Sequence, residues 1–244
     1  MPFEKLFPSG LVTAVVMVPT TGVQNVRKTC TERVKDMDKS SQSKNRQRVT
    51  STAKFVSGGQ RVDWRSSQST VDPERLVFVD ETGLKTDISR LRGWAAGGER
   101  LVEAVPGGHW RTSTLVHAVA LDGTRAAMVL DGPINSLCFA GFCQHFLAPA
   151  LRPGDLVVLD NLSSHKSSSA IAAIEAVGAR LGYLPPYSPD LNPIENVFSK
   201  IKQLIRGFRA RSWRQIIHST KHALLSITLD DIANTFIHCG YAAT

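Results

Sequence analysis

Long apolar runs are missing from this sequence. No stretch approaches the ~18 consecutive apolar residues that a membrane-spanning helix needs. The longest candidate, residues 11–18, is short and interrupted by Thr13. Residues 1–5 carry one acid and one base, and no cleavage motif follows, so a secretory signal is not expected. Cysteine is scarce: Cys30, Cys138, Cys143 and Cys239 form no CxxC pair. That argues against a disulfide scaffold and a zinc ribbon, and it fits a reducing, cytoplasmic setting. Charge is only 20% of the chain while apolar residues make up 42%, which excludes a wholly disordered polypeptide. The 244 residues can build one sizeable core plus a small appendage.

Acidic residues are also scarce, but only locally. Residues 1–70 hold 12 Lys and Arg against 5 Asp and Glu, whereas residues 71–244 hold 17 against 16. Nearly all of the net charge of +8 therefore sits in the first 70 residues. A basic arm beside a near-neutral domain suits a phosphate-backbone binder, and equally a solvated extension. Residues 39–48 (KSSQSKNRQR) contain no apolar residue, and no helix-turn-helix is recognisable before residue 71. The expected organisation is a basic, poorly ordered segment over 1–71 and one folded domain over 72–244.

Beyond Asp72-Pro73 the texture changes. Residues 75–80 (RLVFVD) and 156–160 (LVVLD) are near-continuous apolar runs ending in a carboxylate, the pattern of strands buried on both faces. Residues 112–120 and 125–130, joined across Asp122-Gly123, read as a hairpin. Residues 136–151 carry apolar side chains at helical period. A second helix is expected over 167–177, a short strand over 180–184, and three helices near 193–207, 212–227 and 229–238. Strand-helix-strand passages imply parallel pairing, and the hairpin adds an antiparallel edge. The sum is an α/β domain, a mixed sheet flanked by helices.

Asp80 and Asp160 would emerge together at one sheet edge if their strands are parallel neighbours. Ligands of open α/β sheets bind at that edge. Two acids held close repel unless a cation neutralises them, and carboxylate oxygens suit Mg²⁺. Glu195 is the third candidate, in Tyr187-Ser188-Pro189-Asp190-Leu191-Asn192-Pro193-Ile194-Glu195. The same residues also read as a capping box, with Asn192 at the N-cap, Pro193 at the first helical position and Glu195 at the third. Glu195 falls off the apolar stripe of its helix, in line with Ser199, Lys202 and Arg206.

Asp80-Glu81-Thr82, then Asp160-Asn161 with His165 five residues after the acid, then YSPDLNPIE resemble the three acidic motifs of mariner-type DDE transposases. The similarity is greatest to the bacterial insertion-sequence 630 group. The 34 residues between Asp160 and Glu195 match the spacing of that superfamily, and the resemblance covers residues 72–244. It implies a ribonuclease-H-like fold in which Asp80, Asp160 and Glu195 are catalytic and hold two Mg²⁺ or Mn²⁺ ions roughly 4 Å apart. It implies cleavage of double-stranded DNA at transposon terminal repeats, then strand transfer into a TA-type target. A homodimer on DNA is expected because two ends must be held together, and a nucleoid-associated location follows from the substrate.

The resemblance also assigns supporting parts. Asn161 and His165 belong to the second motif; His165 is read as orienting a phosphate or water, or as a helix-start histidine with a structural hydrogen bond. Lys85, Arg92, Arg100, Lys200, Lys202, Arg206, Arg209 and Arg211 are the expected DNA-backbone contacts, with Trp94, Phe208 and Trp213 interleaved. Ala96 and Gly97 stand where relatives carry a proline and a base. His218 and His222 read as surface histidines, Cys138 and Cys143 as core thiols. Mariner-type relatives carry helix-turn-helix units ahead of the catalytic domain; their apparent absence reads as a truncated or frameshifted copy. Two other readings stay open: an idle remnant that only binds DNA or an intact transposase, and a general nuclease acting on RNA–DNA hybrids.

Overall fold

The computed structural model describes residues 61–89, 93–98, 100, 102 and 111–241. Residues 1–60 of the basic segment, and Arg92, lie outside the described residues.

Strand β1 (Leu76–Lys85) sends alternate side chains to opposite faces. Phe78 and Leu84 enter one core, Val77 and Val79 the other. Burial on both faces explains the unbroken apolar run. Strands β2 (Thr112–Ala120) and β3 (Gly123–Asp131) form the expected hairpin. With β4 (Leu156–Leu159) and β5 (Arg180–Tyr183) they complete a five-stranded sheet in the order β3-β2-β1-β4-β5. The β1–β2 and β2–β3 pairs are antiparallel, and β1–β4 and β4–β5 are parallel.

One detail of register builds the site. Leu76 to Val79 pair with Leu156 to Leu159, and there the parallel pairing ends. Strand β1 runs on to Lys85 against β2 alone, further than the expected stop at Asp80. Asp80 and Asp160 are the next residues on adjacent parallel strands.

Helix α1 (Arg61–Gln68) lies in the segment expected to be unstructured, and it packs onto the domain. Helix α2 (Ser136–Phe142) is shorter than its apolar period suggested. It gives way to a π-turn (Cys143–Leu147) and a 3₁₀ turn (Ala148–Ala150), because Pro149 has no N–H for the carbonyl four residues back. Helices α3 (Ser168–Glu175), α4 (Pro193–Phe208), α5 (Trp213–Leu225) and α6 (Leu229–His238) follow. Real capping boxes start α5 (Ser212 with Gln215) and α6 (Thr228 with Asp231). The four-helix side, α1 with α4 to α6, covers Phe78, Leu115 and Val158. Phe139, Phe142, Leu147 and Ile174 cover the other face. Cys138, Cys143 and Cys239 are buried free thiols. No described helix is long and apolar enough to cross a membrane.

Trp64 anchors α1. Its Nε1–H donates to Tyr241 Oη at 2.9 Å, and Tyr241 Oη–H donates to the Leu191 carbonyl at 2.6 Å. The helix is thus tied to the chain's far end and to the loop ahead of α4. Trp64→Ala should cost about 3–5 kcal/mol through lost burial and the lost hydrogen bond to the Tyr241 oxygen. Urea unfolding of the two proteins measures this, and a loss under about 1 kcal/mol contradicts the docking of α1.

His117, on β2 opposite Asp80, is fully buried, with Nε2 3.0 Å from Thr124 Oγ1. Burial pushes its imidazole down to about 3. The unfolded chain takes up this proton near pH 6.5 and the folded chain does not. His117 therefore stabilises the neutral-pH fold, and that contribution is lost as pH falls from about 6.5 toward 3, by up to ~1.4 kcal/mol per unit. His117→Gln should lose less stability than wild type as pH falls through that window, and parallel profiles would contradict it.

Candidate active site

Asp80 and Glu81 are neighbours on β1, so they face opposite sides of the sheet. Asp80 turns toward α4. It is 7% exposed, and its Oδ1 accepts from the Glu81 backbone N–H at 2.7 Å. Its Oδ2 accepts from Asn192 Nδ2 at 2.8 Å. Burial raises the Asp80 carboxyl to about 7; the Glu81 N–H opposes this, and the charges of Asp160, Glu81 and Glu195 reinforce it.

Asn192 precedes α4 but does not cap it by its side chain, so the expected capping box does not form. The amide is spent on Asp80 instead. Glu195 lies in the first turn of α4 and is exposed. Ile194, Val197, Phe198, Ile201 and Ile205 bury the opposite stripe against the sheet, which fixes the helix that carries the acid.

Asp160 leaves β4, and its Oδ1 accepts from the Leu162 N–H at 3.1 Å. His165 sits on a 3₁₀ turn (Ser163–Lys166) and is fully buried. Its Nε2 lies 2.7 Å from Glu81 Oε1. Its Nδ1 lies 2.5 Å from Asp160 Oδ1, an ion pair rather than a well-aligned hydrogen bond. Carboxylates on both sides require a proton on both nitrogens. Burial pulls the imidazolium down, but its close contacts with Asp160 and Glu81, with their charges, carry it up to about 10.

Do these residues suit a divalent cation? The donors are hard oxygens. The price of ionising Asp80 among like charges is what a cation removes. The buried Oδ1 atoms of Asn161 and Asn192 have no hydrogen-bond partner among the described residues. The set fits in kind. Among the described residues, no three His, Cys, Asp or Glu side chains are already drawn together as a metal cage. Binding would therefore require the carboxylates to close in.

The basic residues divide. Lys202 and Arg206 are partly exposed and share the Glu195 line with Ser199. Arg209 ends α4 in the left-handed region (φ 51°). Lys200 is ion-paired with Asp231 on α6, and Arg211 donates to the Ile88 carbonyl at 3.2 Å. Lys85, Arg100 and Trp94 are exposed. His218 and His222 are exposed and their ring centroids lie 4.4 Å apart. Three site contacts escaped the sequence reading: Glu81 with His165, Asn192 with Asp80, and the grip of α1 on the 187–191 loop. In that grip Arg61 donates to the Tyr187 carbonyl, Ser188 Oγ and both Asp190 oxygens, and Arg65 also reaches Asp190. Only Glu81 left a signal: a charge on the strand face that otherwise buries Val77 and Val79.

A five-stranded mixed sheet flanked by helices, with acids leaving adjacent parallel strands, defines a ribonuclease-H-like domain. Residues 75–217, more than half of the chain, match the profile of the DDE superfamily endonucleases, and the chain belongs to that family. Solved structures agree on the fold. The Mos1 transposase paired-end complex with left transposon end has a TM-score of 0.60 and 14% identity, over 88% of this chain and 67% of that one. The mariner Mos1 paired end complex with Mg gives 0.61 and 14%, over 98% and 81%. The catalytic domain of Mos1 mariner transposase gives 0.53 and 12%, over 93% of each chain. No curated protein matches the sequence.

Proposed function

We propose that the protein is a transposase of the mariner type, similar to the insertion-sequence 630 group. It would cleave double-stranded DNA at transposon ends and transfer the freed strand into a TA-type target. The observation that carries this reading is that Asp80 and Asp160 directly follow the last paired residues of β1 and β4, with Glu195 in the first turn of the packed helix α4. Asp80, Asp160 and Glu195 would hold two Mg²⁺ or Mn²⁺ ions, which supply Lewis acidity toward the phosphate and a more acidic water or 3′-hydroxyl. The chain's own residues position. Asn192 fixes the Asp80 carboxylate, His165 fixes Asp160, and α4 carries Glu195 on a packed base. In-line phosphoryl transfer asks for such positioning and charge neutralisation rather than a covalent nucleophile. Two ends must be joined in one assembly, so the working form is a homodimer on DNA.

Lys202 and Arg206 extend from Glu195 along α4 as a track for phosphates, with Arg209, Arg211, Lys85, Arg92 and Arg100 as further backbone contacts. Lys202→Ala with Arg206→Ala should weaken duplex binding and lower the log-log salt slope by about 2. Binding titrations between about 50 and 200 mM salt measure both. An unchanged slope removes these residues from the interface.

A substrate comparison tests the assignment. Labelled duplex DNA carrying the element's own ends should be nicked in the presence of Mg²⁺ or Mn²⁺, and an RNA–DNA hybrid should not. Preference for the hybrid favours a general nuclease. Salt-dependent DNA binding without nicking favours the idle remnant.

A further inference from the structure

We propose that Glu81 acts through His165 as a positioning residue for Asp160, and is not itself one of the metal-binding carboxylates. The inference rests on the proposed metal site. Glu81 projects from the sheet face opposite Asp80, Asn192 and α4, into the core that holds Phe139 and Cys143. Its side chain is 9% exposed, and its Oε1 faces His165 Nε2 at 2.7 Å. The imidazole exposes nothing, and Phe139 packs against it with centroids 4.4 Å apart. Its other nitrogen meets Asp160 Oδ1. Asp160, in contrast, leaves 31% of its side chain open. The geometry is a fixed base with one free end: Glu81 sets the ring, the ring sets one carboxylate oxygen, and the rest of Asp160 faces outward. A ligand carboxylate whose orientation depends on a buried partner loses affinity when that partner is removed, typically about 10–100-fold.

Mn²⁺ binding to the full chain, followed by electron paramagnetic resonance of the free ion, separates the roles without relying on activity. Glu81→Ala should weaken Mn²⁺ binding about 10–100-fold. Glu81→Gln should recover most of it, because the amide oxygen still accepts from His165 Nε2–H. In a His165→Ala background, Glu81→Ala should add nothing further. If the cavity left by alanine prevents folding, as a thermal melt would show, Glu81→Met fills the space without an acceptor and replaces it. Glu81→Gln as damaging as Glu81→Ala, or a Glu81 effect that persists without His165, overturns the proposal. So does undiminished affinity in Glu81→Ala. Asp160→Asn is the control for the underlying reading: if it too binds Mn²⁺ like wild type, the metal site itself fails, and the proposal with it.

Discussion

Asp160→Asn is expected to cut metal-dependent nicking by at least about a thousandfold while leaving DNA binding intact. The amide keeps the shape of the side chain and can still accept from the Leu162 N–H. It loses the charge that a divalent ion needs and places a neutral group against His165. Several kcal/mol of transition-state stabilisation depend on such a ligand, at ~1.4 kcal/mol per tenfold in rate. Binding should not weaken, since one negative charge is removed from beside the phosphates. Single-turnover nicking and equilibrium binding on the same duplex read the two effects separately. Nicking within about tenfold of wild type would mean that the chemistry lies elsewhere.

Asp80→Asn should raise the stability of the metal-free protein. Folding raises the Asp80 carboxyl from 3.8 to about 7, chiefly by burial. The folded state therefore holds this proton more tightly than the unfolded state. Its contribution is fully present below pH 3.8 and is lost as pH rises to about 7, so at neutral pH the ionised group costs a few kcal/mol. Asparagine removes that cost but can accept only one of the two hydrogen bonds from Glu81 N–H and Asn192, returning about 1 kcal/mol. The net expectation is a metal-free variant more stable than wild type by about 1–3 kcal/mol. Adding Mg²⁺ should stabilise wild type by mass action and the variant far less. Below pH 6.5 the Asp80 and His117 slopes oppose each other in wild type, and the two variants separate them. A metal-free Asp80→Asn protein less stable than wild type contradicts the account.

The acids were legible because each sits at the end of a local pattern. An apolar run closed by a carboxylate identified β1 and β4; that they are parallel neighbours was only a condition in the sequence, and the β1–β4 register meets it. The apolar stripe of α4 placed Glu195 off the buried face, and it is exposed as that requires. What the sequence hid depends on contacts far apart in the chain. Asn192-Pro193 fits the local rules for a helix start, yet its amide serves Asp80, 112 residues away. Trp64 is the only large buried side chain of α1, and its hydroxyl partner lies 177 residues on. No periodicity announces a helix held by one such contact and two arginines. The Glu81–His165 pair is intermediate. Strand alternation shows that Glu81 must face a core, but not which residue meets it there. The early end of α2 was written in Pro149 and was outweighed by the apolar period running through it.

The acids at this sheet edge are proposed to support metal-dependent cleavage of DNA. The most direct measurement is nicking of end-labelled duplex, carrying the element's own ends, across a titration of Mg²⁺ after exhaustive chelation. No cleavage is expected without the ion, a saturable rise with it, and a 3′-hydroxyl at the nick. Cleavage that persists in chelator, or a folded protein that binds the duplex and never nicks it at any Mg²⁺ or Mn²⁺ concentration, would contradict it.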